Sequence, residues 1–140
     1  MFELEDCVGF MTNNIAKLIA DRFNERLKSL GVTWVQWTAL FYIGKFISIN
    51  QKELSDKMMV RGSTIVRLID RMERDNLITR VRDLEDRRNI NLVLTENGSK
   101  IRVKLLPVGE QMSQILLKDI SYEDVQRFKR ILSKLQENLT

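Results

Sequence analysis

The spacing of apolar residues changes from a helical period to a period of two close to residue 77. From 63 to 74, apolar residues recur at the i, i+3, i+4 and i+7 positions of an amphipathic helix. From 78 to 82, and again from 90 to 94, the side chains follow the period of two that is typical of strands. The segment 83–89 between them has no glycine and is too long for a tight two-residue turn. The pattern predicts a helix followed by an antiparallel hairpin with a charged tip.

Helical spacing elsewhere predicts five more helices, each with a start or stop signal. Two of these signals are capping boxes, in which a polar residue and the Glu or Gln three positions later bond each other's backbone. The five segments are 8–30, Thr33 to about Ile47 (capped with Gln36), a short helix after Asn50 (capped with Glu53), Thr95 towards Asp119, and a last helix after Ser121.

Two residues are expected to end predicted helices, and a third is expected to interrupt one. Gly31 should end the first helix, and Asn76 lies where a left-handed residue closes the fourth, a conformation that asparagine tolerates. Pro107 lacks a backbone N–H and clashes with the preceding turn, so a kink or break is expected there.

The totals describe one domain over residues 1–140, since 44% of the chain is apolar and 30% is charged. No apolar run reaches the length of about 18 residues that a membrane helix needs. The first six residues lack the basic start and apolar stretch of a secretory signal. We therefore expect a cytoplasmic protein that does not enter membranes.

Few residue types for catalysis are available. The chain has one cysteine and no histidine, so it forms no internal disulfide and lacks the usual metal ligands and the usual neutral-pH acid–base group. No nucleophile–base pair and no phosphate-binding glycine loop are found. We expect no metal, no cofactor and no enzymatic activity.

The positive charge is concentrated in the middle of the chain. Residues 45–104 contain 14 Lys and Arg against 9 Asp and Glu, whereas the remainder contains 9 against 10. A basic central segment between nearly neutral ends is the electrostatic pattern expected of a protein that contacts phosphates.

The predicted helix 63–74 separates its side chains into two faces. At about 100° per residue, its arginines and hydroxyl residues lie opposite the apolar stripe. An α-helix fits the major groove of DNA, where its N-terminal residues reach deepest. Ser63, Thr64 and Arg67 are therefore candidates for reading bases, and Arg71 for contacting a phosphate. A solvated basic face is the alternative interpretation.

The helix start and the hairpin tip add further candidates. Arg61 and Gly62 stand where a capping side chain is expected, which leaves free N–H groups that suit a phosphate. Arg87 and Arg88 can enter a minor groove, where negative potential concentrates. Asp83 and Asp86 are expected to pair with these arginines and hold the loop; an ordinary charged turn is the alternative.

The short helix, the basic helix and the hairpin together form the pattern of a winged helix-turn-helix. The segments 54–58, 63–73, 77–80, 86–88 and 94–98 resemble the MarR family (multiple-antibiotic-resistance regulators) over nearly the whole chain. The Asp-Arg-Arg motif followed by Leu-Thr and a glycine is the most specific part. Asn76 departs from the family's usual glycine, and Arg61 from its usual helix-capping serine.

The resemblance implies a mainly α fold with a small β-hairpin wing. It implies a homodimer in which residues 33–95 form the DNA-binding winged helix and residues 1–30 and 96–140 form dimerisation helices. It also implies a wing arginine, matching Arg87, in the minor groove. Many members are repressors that a small aromatic or phenolic ligand releases, and some sense oxidants through a cysteine, a role for which Cys7 is the candidate here.

The broad apolar stripes of the first and last helices also favour a dimer, because a small winged-helix core cannot cover both. A two-fold dimer presents two reading helices to a pseudo-palindromic operator. An effector pocket is expected near the junction with the reading head, although the same residues also fit an ordinary core. Its candidate residues are Met11, Ile15, Trp34, Trp37 and Phe41.

The sequence thus predicts a sequence-specific DNA-binding transcriptional regulator, a repressor, whose partners are double-stranded DNA, a second copy of the chain and an aromatic effector. Two alternatives stay open at this point. One is a winged helix that docks a partner protein, and the other is a redox-sensing regulator that acts through Cys7.

Overall fold

A computed structural model describes the whole chain, Met1–Thr140, as six α-helices and three short strands. Short 3-10 helices at Leu4–Asp6 and Lys28–Leu30 flank the first helix. The elements are, in chain order, α1 (Val8–Leu27), α2 (Trp34–Lys45), β1 (Ile49–Asn50), α3 (Gln51–Met58), α4 (Ser63–Arg74), β2 (Ile78–Arg82), β3 (Ile90–Leu94), α5 (Glu96–Leu116) and α6 (Tyr122–Leu139). The predicted mainly helical fold with a hairpin wing is confirmed.

The predicted helix starts are present as side-chain bonds to the backbone. Thr33 accepts from the N–H of Gln36 at 3.1 Å, and the Gln36 side chain accepts from the N–H of Thr33 at 3.0 Å. Asn50 and Glu53 form the same reciprocal pair at the start of α3. These bonds satisfy N–H groups that the first turn of a helix otherwise leaves without partners.

The predicted helix ends are also confirmed where they depend on backbone conformation. Gly31 adopts φ 73° after the 3-10 turn that follows α1, and Asn76 adopts φ 59° after α4. Glycine has no Cβ to clash in this left-handed region, and asparagine tolerates it.

One expectation about the elements is wrong, and another is narrowed. The sheet has three strands, in the order β1-β3-β2, because Ile49 and Asn50 pair with Leu92 and Asn91. A two-residue strand is too short to produce a visible period. Pro107 does not break α5, which runs without interruption through it to Leu116, because a proline removes only one helical hydrogen bond and the flanking turns keep theirs. The other outcome, a kink, stays a prediction.

The chain divides into two compact units, Met1–Val108 and Gly109–Thr140. The first unit contains the winged helix, and its core is formed by apolar residues from α1 to α5. Its most deeply buried side chains are Leu27, Leu40, Ile49, Leu54, Ile69, Met72, Ile78 and Leu105. No helix is both long enough and apolar enough to cross a membrane.

Several apolar side chains remain uncovered on α1 and on α6, each considered within its own unit. On α1, Met11, Ile15 and Leu18 are about half exposed. Helix α6 buries none of its residues, and Phe128 and Ile131 are exposed on it. Apolar patches of this kind are unusual on an isolated chain and are typical of interaction surfaces.

The wing is attached at its base to the junction between α4 and α5. The Thr95 N–H donates to the Leu77 carbonyl at 3.1 Å, and the Thr95 hydroxyl donates to the Asn76 carbonyl at 2.6 Å. The same hydroxyl oxygen accepts from the Gly98 N–H at 2.9 Å and so begins α5. A Cβ at position 98 would lie 2.0 Å from the Leu77 carbonyl oxygen, so this close approach requires glycine.

Replacing Gly98 with alanine is expected to reduce the free energy of unfolding by about 1–3 kcal/mol, because backbone must move to accept the methyl group. Gly9→Ala is the matched control, since a Cβ there meets only Cys7 Sγ at an ordinary 3.9 Å. Urea denaturation measures both. Equal stability of Gly98→Ala and the parent would show that the junction is not tightly packed.

Candidate nucleic-acid interface

Helices α3 and α4 form a helix-turn-helix through a strained turn. Met59 ends α3 with φ 55°, a left-handed conformation that costs a side-chain-bearing residue energy. The turn is stabilised by the Val60 N–H, which donates to the Ser55 carbonyl at 3.1 Å, and by the Ser55 hydroxyl, which donates to the Val60 carbonyl. These bonds set the angle at which α4 leaves α3.

Helix α4 buries one face and exposes the predicted reading face. Ile65, Ile69 and Met72 are buried in the core. The exposed side carries Asp70 together with the predicted polar and basic residues Ser63, Thr64, Arg67, Arg71 and Arg74. Arg74 pairs with Asp75 at 3.5 Å, whereas Arg67 and Arg71 form no ion pair. Their guanidinium groups are available to a ligand.

The start of α4 lacks a side-chain cap, as the sequence predicted. Gly62 occupies the N-cap position with φ 63° and ψ −137°, and Arg61 before it is exposed. The first N–H groups of α4 therefore receive no bond from a capping side chain. This arrangement brings a basic side chain and the positive end of the helix dipole to the same end of α4.

The wing tip is organised by Asp83. One carboxylate oxygen accepts from the N–H groups of Glu85 at 2.8 Å and Asp86 at 3.3 Å, and the other accepts from the Asn91 side chain at 3.1 Å. The backbone bond to Glu85, then the bonds to Asn91 and Asp86, lower the pKa of Asp83. Asp83 therefore bonds to the loop backbone and an amide and forms no ion pair with an arginine, in contrast to the expected pairing.

The two tip arginines are held differently. Arg88 donates from Nε to Asp86 at 3.3 Å, so the expected carboxylate pairing is present there. The Arg87 side chain is exposed and forms no ion pair, while its carbonyl accepts from Arg82 at 2.6 Å. The backbone at Arg87 is thus restrained, and its guanidinium group stays free.

Sequence reasoning missed one residue of this surface. Arg80 on β2 donates to Asp70 at 2.7 Å and to Glu73 at 2.6 Å, and both carboxylates belong to α4. The bond to Asp70, opposed by desolvation and aided by the charge of Glu73, raises the pKa of Arg80. No sequence signal predicts this bridge, because it depends on how β2 folds back beside α4.

Three of the five predicted effector-pocket residues come together in one aromatic cluster. The ring centroids of Trp34 and Trp37 are 5.0 Å apart, and those of Trp37 and Phe41 are 6.4 Å apart. Phe23 of α1, which was not among the predicted pocket residues, joins the cluster with its ring centroid 4.3 Å from that of Trp34. Met11 and Ile15 are exposed on α1. The buried Trp37 Nε1 has no hydrogen-bond partner.

A different part of the molecule contains a cavity of about 310 Å³. It lies between the start of α3 and the wing, and none of the predicted effector residues lines it. Its basic lining residues are Lys52, Arg80 and Arg88. Cys7, the redox candidate, is a half-buried free thiol before α1. No group of three or more potential metal ligands occurs.

Comparison with known proteins identifies this arrangement. A model of the MarR family matches residues 32–90, which span the helix-turn-helix and most of the wing. The chain is 33% identical over 123 residues to the uncharacterized HTH-type transcriptional regulator YwoH of Bacillus subtilis. The aligned residues cover 85% of this chain and 86% of YwoH. The chain belongs to the MarR family.

A second relative is the organic hydroperoxide resistance transcriptional regulator of Bacillus subtilis, which is 26% identical over 98% of this chain and 92% of its own. The fold also matches the crystal structure of the S. aureus MepR–DNA complex with a TM-score of 0.89 at 23% identity, over 99% of this chain and all of that one. This MarR-family protein is a DNA-binding transcriptional regulator, and both of these relatives are transcriptional regulators.

Removing the Asp83 carboxylate from this MarR-family wing is expected to loosen its tip. In Asp83→Ala the amides of Glu85 and Asp86 lose their acceptor, so their hydrogen exchange should accelerate about fivefold, as expected for the loss of one hydrogen bond. NMR-detected exchange measures this, and the melting temperature should stay unchanged because the loop is outside the core.

Asp83→Asn is the control, because its amide oxygen can still accept from the backbone and should preserve most of the protection. The lowered pKa adds a pH test. The folded-state pKa lies below the ordinary value of 3.8, so the tip contacts are fully present above that pH and are lost as the pH falls through the folded-state pKa. Loss of the contacts at pH 5 would contradict this account.

Proposed function

We propose that this MarR-family regulator is a repressor that binds a pseudo-palindromic operator as a homodimer in the cytoplasm. The observation that carries the proposal is that Arg67 and Arg71 on α4 and Arg87 on the wing tip form no ion pair. Several other surface arginines do form ion pairs, among them Arg22, Arg80 and Arg127. Unpaired guanidinium groups can bind DNA without first breaking an internal ion pair.

In this proposal α4 enters the major groove with its N-terminal end. Ser63, Thr64 and Arg67 read base edges, since arginine binds guanine acceptors and hydroxyls bind donors or acceptors. Arg71 contacts a phosphate further along the helix. Arg61 and the uncapped first turn of α4 bind a second phosphate, because the positive end of the helix dipole favours an anion.

The wing arginines are proposed to contact the neighbouring minor groove. Arg87 has a free guanidinium group on a restrained backbone, which reduces the entropy lost on binding. Arg88 stands beside it and retains its contact with Asp86. Asp83 and Asp86 serve as support for the tip.

The homodimer is proposed to form through the uncovered apolar faces of α1 and α6. Burying such surface contributes about 25 cal/mol per Å². A two-fold dimer would present two copies of α4 to half-sites roughly 34 Å apart, one turn of DNA. In this proposal the affinity of the protein for DNA depends on formation of the homodimer.

A small aromatic effector is proposed to release the protein from its operator. A likeness in fold supports the idea: BpsR of Bordetella bronchiseptica, whose DNA binding is described as regulated by 6-hydroxynicotinic acid, superposes with a TM-score of 0.89 at 17% identity. In this chain the Phe23–Phe41 aromatic cluster and the unsatisfied Trp37 N–H suit an aromatic ligand that carries an acceptor. A ligand of this kind shifts binding only by its differential affinity for the two states.

Alanine at Arg67 should weaken binding to the operator by about 1–3 kcal/mol and relax its sequence preference, because a base contact is lost. Alanine at Arg87 should weaken binding to many sequences and lower the salt slope by about one. Fluorescence anisotropy with the region upstream of the protein's own gene, at several salt concentrations, measures both effects.

Arg22→Ala provides the matched control, since it removes an arginine on α1 that pairs with Glu25 outside the reading surface. It should leave the affinity nearly unchanged. Parent-like titrations by both Arg67→Ala and Arg87→Ala would refute the residue assignment. A complete absence of DNA binding by the parent at low salt would favour a winged helix that docks a protein instead.

Charged substitutions in the apolar faces should dissociate the dimer. The parent is expected to sediment at about twice its 16.5 kDa chain mass, and Ile15→Glu or Phe128→Glu should shift it towards the monomer, because a buried unpaired carboxylate is costly. Asn13→Glu lies on the opposite face of α1 and should not. Analytical ultracentrifugation measures the masses, and a parent that sediments as a monomer would refute the assembly.

A further inference from the structure

Helix α4 carries an acidic residue, Asp70, on the exposed side where its arginines are proposed to contact DNA. Asp70 follows Arg67 by three positions and precedes Arg74 by four. Residues at these spacings are neighbours on a helix surface, and opposite charges there form ion pairs. Arg74 already pairs with Asp75, so an available Asp70 would compete with DNA chiefly for the guanidinium group of Arg67.

In the structure Asp70 is engaged by Arg80, which comes from the wing. The Arg80 Nη2 to Asp70 Oδ1 distance is 2.7 Å, and the second guanidinium nitrogen, Nη1, lies 2.6 Å from Glu73 Oε1. The Arg80 side chain is only 30% exposed, against 60% for Asp70. Asp70 pairs with neither Arg67 nor Arg74.

The geometry points to Arg80 as a positioning residue that withholds Asp70 from the arginines of the reading helix. We propose that Arg80 binds the Asp70 carboxylate, with Glu73 as its second anchor, and so keeps the guanidinium group of Arg67 free for DNA. The inference rests on the proposed function, in which α4 contacts DNA, and adds a residue that touches no DNA itself.

Glu73 distinguishes this role from that of a simple strut. Its positions three and four residues away on either side are Ile69, Asp70, Asn76 and Leu77, none of them an arginine. An unpaired Glu73 therefore has no such arginine to capture, whereas an unpaired Asp70 can capture Arg67. Removing one or the other carboxylate changes the net charge equally but has different consequences for the reading face.

The test compares three variants for binding to a labelled duplex from the region upstream of the protein's own gene. Arg80→Gln should reduce the affinity about twofold, the cost of one helical arginine pair formed in competition with DNA. Its salt slope should fall by about one, since a cation is withdrawn from the phosphates. Adding Asp70→Asn to Arg80→Gln should restore both the affinity and the slope of the parent.

Arg80→Gln with Glu73→Gln is the matched control. It has the same net charge as the rescued variant and the same missing arginine, but it leaves Asp70 free, so its affinity and slope should stay low. Arg80→Gln combined with either carboxylate change also lacks the bridge between β2 and α4, so any loss of rigidity is common to both. Circular dichroism melting of each variant verifies that they are equally folded.

The outcomes separate the possibilities. Rescue by Asp70→Asn alone supports the inference. Equal weakness of both double variants would show that the bridge acts as a strut, and equal recovery would show a general effect of charge; either result overturns the inference while the parent still binds. No binding by the parent at low salt would overturn the proposed function and, with it, the inference.

Discussion

The position of the wing relative to α4 depends on a close backbone contact at the junction of α4, β2 and α5. Thr95 bonds to the carbonyls of Asn76 and Leu77, and Gly98 allows α5 to approach the Leu77 carbonyl within a distance that no Cβ permits. Both strands of the hairpin start or end at this contact. Because a short hairpin is rigid along its ladder, fixing its base determines where its tip lies.

The charge that this surface presents depends mainly on which groups its carboxylates contact. Asp83 and Asp86 bond to the wing loop, and Asp70 and Glu73 bond to Arg80, so four acidic groups are engaged internally. The basic groups that remain unpaired are then more numerous than the modest net charge of +4 suggests. A protein of moderate overall charge thereby obtains a locally basic surface, which is what binding to phosphates requires.

The helices and their ends were largely predictable, because capping boxes, left-handed residues and apolar periodicity act over a few neighbouring residues. Thr33, Asn50 and Asn76 behave as their types predict. The misses have equally local causes: β1 is too short to show a period, and Pro107 removes one bond from a long helix. Of the interface, the exposed side of α4 could be deduced from the helical wheel, since its apolar stripe had to face the core.

The sequence by itself determined the fold class, the exposed arginines of α4 and the charged tip, since these follow from periodicity and residue type. Only the tertiary structure decided which carboxylate meets which cation: Asp83 bonds to backbone N–H groups, and Arg80 reaches across to Asp70. The reason is physical. Local propensity is set by residues close in sequence. An ion pair between a helix and a strand depends instead on the angle of the turn that joins them, and packing of the whole core fixes that angle.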